Sequence, residues 1–154
     1  MKNKLDQVDF DILALLSEDA QMPYTEVAKR AFVSAGTVHM RMKKMKEMNV
    51  IKGTTLSLDY TQMGWGLTVF IGIFLKRSLL YKEAIDALKK IPEVVKVHHI
   101  TGKYDIFIKV HARDSDHYRD VYQDSILSIQ GIKNTEAFIS LEENLNRHIV
   151  FRPL

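Results

Sequence analysis

The chain has 154 residues, 46% hydrophobic and 27% charged, which is enough apolar material for one domain or two small ones. It has no cysteine, which excludes disulfide frameworks and thiolate metal sites and suits a reducing compartment. The net charge of +3 is concentrated: residues 29–52 carry seven basic side chains against one acid, and the rest carry 15 basic and 18 acidic residues.

Lys2 and Lys4 lead into an acid-rich stretch, not a long apolar one, so no signal peptide is expected. The longest apolar run, Leu67–Leu75, is too short to span a bilayer. A cytoplasmic protein without a membrane partner is the expectation. In chain order, Asp6 is placed to cap a first helix whose stripe is Val8, Ile12, Leu15 and Leu16. Asp9 and Asp11 then lie near the positive end of its dipole. Pro23 suits the first turn of a second helix, with Val27 and Ala28 inward. Ser34 caps a third, with Val38, Met42, Met45 and Met48 as its apolar stripe and Asn49 as a left-handed stop. Two short helices around a tight turn, the second rich in Lys and Arg, form the electrostatic footprint of a duplex-DNA reader.

Val50–Leu58 is strand-like, and residues 60–66 form a hinge into a second unit. There the period changes to strands at Leu67–Leu75, Val94–Ile100, Asp105–His111 and Ile132–Leu141, with helices at Tyr81–Ile91 and Ser115–Ile129, the latter capped by Asp114. Arg147–Phe151 is a candidate fifth strand. The order β-α-β-β-α-β predicts a ferredoxin-like domain with both helices on one face of an antiparallel sheet. Val69, Ile71, Ile73 and Leu75 then face one way and Phe70 and Phe74 the other, and Phe138 and Ile139 on the last strand likewise point to opposite faces. Helices cover only one face, so self-association through the other is expected.

The chain resembles the Lrp/AsnC, or feast/famine, family of regulators over nearly its whole length. The resemblance is carried by LDQVDFDILALL, EVAKRAFVSAGTVHMRMKKMKEMNVIKG, the TGKYD turn and the closing GIKNTEAFISLE strand. It implies an α+β protein: a winged-type helix-turn-helix domain (1–52), a linking strand and hinge (53–66), and a ferredoxin-like effector-binding and oligomerisation domain (67–154). It also implies dimers that assemble into octamers or larger discs, and a free amino acid as effector, without any other cofactor. Two departures are visible. Phe32 stands at a turn position where the family commonly has glycine, and the second helix starts at Pro23 where Ser is frequent.

With the apolar stripe buried, the third helix presents Gly36, Thr37, His39, Met40, Lys43 and Lys44. The start of a recognition helix reaches base edges and later basic residues hold phosphates, so Thr37, His39 and Met40 are candidate base readers. Arg41, Lys43 and Lys44 are candidate phosphate or base-edge contacts, Ser34 is grouped with them as the cap, and Gly36 permits close approach. By resemblance, Thr101, Gly102, Lys103, Tyr104 and Asp105 form the effector loop. Asp105 or Asp114 would meet an α-ammonium group, and the facing strand would supply Thr135 and Ala137. A second hydroxyl is frequent where Ala137 stands, which points to an apolar or aromatic effector.

Two rival DNA-binding readings share these features, an architectural protein with little sequence preference and a metal-responsive regulator. For catalysis the chain offers no nucleophile elbow, phosphate-cradling glycine loop or cysteine. His98 and His99 point to opposite faces of one strand and cannot chelate together.

Overall fold

The computed structural model describes residues 5–151, and these divide into two compact units, one bounded by Met1–Ser57 and Leu145–Leu154, the other by Leu58–Asn144. The first unit is a three-helix bundle: α1 Gln7–Glu18, α2 Tyr24–Arg30 and α3 Ala35–Glu47. Asp6 and Asp9 form a reciprocal capping box at the start of α1, and Ser34 caps α3 by accepting from the Thr37 N–H at 3.0 Å. Ile12, Val27, Ala28, Ala31, Val38 and Met45 close the core. Of the expected stripe on α3, Val38 and Met45 are fully buried, while Met42 and Met48 are only half-buried.

Among the described residues, two non-glycine residues adopt the left-handed conformation. Asn49, at φ 56°, ends α3 as expected; Phe32, at φ 54°, makes the turn between α2 and α3 in the place of a glycine. The Phe32 ring is 95% exposed, so no packing offsets the backbone strain.

The second unit holds one four-stranded antiparallel sheet of β1 Leu67–Leu75, β2 Val94–His99, β3 Ile106–Ala112 and β4 Ile132–Ile139, in the order β2-β3-β1-β4. Two helices complete it: α4 Tyr81–Leu88 and α5 Ser115–Asp120, the latter continuing as a wider π turn over Val121–Ile126. Val69, Ile71, Ile73, Ile106, Ile108 and Val110 face the helices and form the core with Ala84, Leu88, Val121 and Ile126. The βαββαβ order and the two-faced reading of β1 match the expectation.

Two expected strands are absent. The segment 50–58 and residues 147–151 are irregular in the described chain. Each has strand-like composition, but neither pairs with another strand among the described residues, and an extended segment becomes a strand only by pairing. Residues 145–151 group with the helical unit, whereas the sequence suggested a sheet domain running through them.

Candidate functional site

On α3 the exposed residues Gly36, His39, Met40 and Lys43, at spacings of three, four and seven, define one helix face, and Lys46 and Glu47 are exposed in the last turn. Met40 is 64% exposed, unusual for an apolar side chain and fitting for contact with a thymine methyl. The His39 ring lies 6.2 Å from that of Tyr24 on α2. Thr37 is half-buried with its hydroxyl 2.9 Å from that of Ser34, so it serves the cap as well as the surface. Lys44 is half-buried at the side of this face.

Arg41 departs from its expected role as a DNA contact. Its guanidinium turns back onto α1, where it bonds the Asp6 carboxylate and, at 3.1 Å, the carboxylate of Asp9, which is 0% exposed. The bond from Arg41 holds the Asp6 carboxyl below its usual range and raises Arg41 further. Arg30 is likewise paired, with Glu26 one helical turn earlier at 2.8 Å. The cationic surface is therefore carried by lysines: Lys29, Lys43, Lys46 and Lys52 are exposed and Lys44 half-exposed.

In the second unit the loop residues Thr101, Gly102 and Lys103 are exposed, with Gly102 at φ 117°. Beyond them the expected effector residues separate onto two faces of the sheet. Lys103 reaches both oxygens of Glu136 (2.7 and 2.8 Å), and the Tyr104 hydroxyl donates to the same carboxylate at 2.6 Å. Lys103 and Tyr104 together hold Glu136 below the usual carboxylate range. Tyr104 lies flat over Gly72, where an added Cβ would fall 2.5 Å from its ring, and it neighbours Phe74, Phe107 and Phe138. This is the face opposite the helices.

Thr135 and Ala137 pair with Ile73 and Ile71 and so share the helix-side face. The Thr135 hydroxyl is 2.6 Å from that of Tyr122, which stacks on Tyr118 at 5.6 Å; burial, then the nearby Tyr122, pushes Tyr118 up to about 12. Ala137 and Ile139 (60% exposed) extend this face uncovered along the edge strand.

The two candidate carboxylates are engaged locally. Asp105 accepts from the Leu75 N–H at 2.8 Å, and Asp114 caps α5 by accepting from the His117 N–H at 2.8 Å. Among the described residues no group of three His, Asp or Glu side chains is placed to hold a metal ion, and no helix is long and apolar enough to cross a membrane.

Sequence reading missed Glu136 as a partner, although strand alternation placed it on the Phe70 and Phe74 face. It also missed the reach of Arg41 to Asp9, for which a buried acid on α1 was the available signal.

Comparison with known proteins agrees with this arrangement. Residues 5–52 match the profile of winged helix-turn-helix DNA-binding domains, and residues 68–149 that of the Lrp/AsnC ligand binding domain. The regulatory protein AsnC of Haemophilus influenzae is 37% identical over 147 residues, 96% of this chain and 98% of that one. The solved structure of Escherichia coli AsnC superposes with a TM-score of 0.91 at 36% identity, covering 96% of this chain and 99% of that one. A transcriptional regulator of Neisseria meningitidis, solved in complex with L-methionine, shares the fold at TM-score 0.88 and 22% identity over 94% of each chain. The chain belongs to the Lrp/AsnC family and is a transcriptional regulator, not an enzyme, with a DNA-binding helix-turn-helix unit and a ligand-binding unit.

Proposed function

We propose that this regulator reads duplex DNA through the exposed face of α3 and is modulated by a free amino acid bound at interfaces of the second unit in an oligomer. The observation that carries the DNA reading is the α3 face itself: Gly36, His39 and Met40 for base edges, and Lys43 with Lys44 for phosphates, on a helix braced from behind by Arg41. Arg41 acts through position, not by contact with DNA.

The effector reading is supported by the exposed loop at Thr101–Lys103, by the ligand-binding profile over residues 68–149, and by the neisserial relative's complex with L-methionine. Ala137 and Ile139 leave an apolar strip beside Thr135 on the uncovered edge of β4, which favours an apolar or aromatic side chain in the effector. Gathering loop and strip into one site is the work of a second copy of the chain; Phe70, Phe107 and Phe138 on the open face supply apolar surface for dimers. A cytoplasmic location follows from this role.

The test is a panel of the twenty amino acids scored by melting temperature, oligomer size and DNA footprint. At least one apolar or aromatic member raises the melting temperature and alters protection of regularly phased half-sites. No response from any of the twenty would contradict amino-acid control. Protection without phase would favour an architectural role.

A further inference from the structure

The end of the chain is set apart by one contact. Residues 141–150 are exposed throughout, and then Phe151 becomes half-buried with its ring 6.0 Å from that of Phe10 on α1, tilted by 43°. Phe10 is half-buried yet is not among the residues packed on the three-helix core. Its place is the wall of a groove of about 730 Å³ that Leu13, Leu16, Met42 and Ile51 also line, together with His148 and Phe151. An aromatic ring on the outer side of α1 thus meets an aromatic ring from the other end of the sequence.

We infer that residues 145–151 are an integral part of the DNA-binding unit, anchored at the edge of this groove through Phe151 on Phe10. The anchored segment is this chain's own C-terminal stretch, which groups with the helical unit. The consequence is topological. The chain leaves the helical unit after Ser57 and returns to it at Leu145, so two covalent links join the units in place of one hinge. The returning link begins six residues after β4, the strand that carries Thr135, Glu136 and Ala137. It ends on α1, the helix that holds Arg41 of α3 through Asp6 and Asp9. A change at β4 therefore has a short covalent route to the brace of the recognition helix.

The absence of native cysteine makes the seating directly testable in the full-length protein. With Phe10→Cys and Phe151→Cys combined, a short bismaleimide should join the two within one chain. A covalent dimer would assign the contact with Phe10 to a second copy's tail, and no cross-link would mean that the tail is not seated on Phe10; either overturns the proposal. Phe10→Ala, Phe151→Ala and the double variant provide a second measurement. Amide exchange in α1 should show a non-additive coupling of about fivefold between the two rings, and additive effects would overturn the contact. Phe151→Ala should also weaken DNA binding several-fold at unchanged oligomer size, whereas unchanged affinity would remove the functional link.

Discussion

Arg41 illustrates how one side chain changes meaning between sequence and structure. On a basic helix it reads as a phosphate contact, but its guanidinium lies on a carboxylate that no water reaches. Removing it would leave Asp9 buried with one neutral hydrogen bond, from the Asp6 N–H. A fully buried pair broken in this way costs about 3–5 kcal/mol; the 26% exposure of Arg41 lowers the expected loss for Arg41→Ala to about 2 kcal/mol. Denaturant unfolding measures that loss. The salt dependence of DNA binding should stay as in the parent, because Arg41 holds no phosphate, and a flatter slope would return Arg41 to the interface. Phe32 makes the opposite case. Holding a phenylalanine in the left-handed region costs about 1–2 kcal/mol, and glycine would release it at some cost in unfolded-chain entropy. With the ring exposed and no burial to forfeit, Phe32→Gly should stabilise the helical unit by about 0.5 kcal/mol, seen as a higher midpoint of unfolding.

Among the elements, the pairing of β3 with β1 carries a titratable group. His111 is buried, with Nδ1 3.0 Å from the Thr68 hydroxyl and its ring stacked on Tyr60 at 4.7 Å. Burial, and then the positive charge of Lys109, hold its pKa below the ordinary 6.5, partly opposed by Glu143. The unfolded chain therefore takes up a proton more readily than the folded one. The stability His111 contributes is complete above about pH 6.5 and is lost as the pH falls from there toward its folded value. Melting temperatures at about pH 7.5 and pH 5.5 should differ in the parent and converge in His111→Asn; an equal difference in both would contradict this. At this scale the sequence was legible wherever a signal was local. The Asp6, Ser34 and Asp114 caps, the Asn49 stop and the alternation of β1 depend only on neighbours in the chain. Residues 50–58 and 147–151 failed as strands because pairing depends on a partner that composition cannot supply. The π widening of α5 at Val121–Ile126 likewise has no local marker.

At the level of the full chain, the order of elements was enough to give the α+β architecture, since βαββαβ leaves few topologies for an antiparallel sheet. The site was only partly legible. The exposed face of α3 followed from helical period, but the engaged roles of Arg41 and Asp105 required the third dimension. Lys103 and Tyr104 meet Glu136 on the face opposite Thr135 and Ala137, so the expected effector residues do not form one pocket in a single chain. An assembly of copies would both complete that pocket and present several α3 helices at once, each with a small footprint, so that affinity arises through avidity. Whether this helix face meets DNA is decided by DNA affinity across a salt series, for the parent and for the double variant Lys43→Ala with Lys44→Ala. The double variant should bind every sequence more weakly, with a shallower dependence of log affinity on log salt, by about one unit for each phosphate that the two lysines neutralise. Unchanged affinity and slope would contradict the assignment of this helix face to DNA.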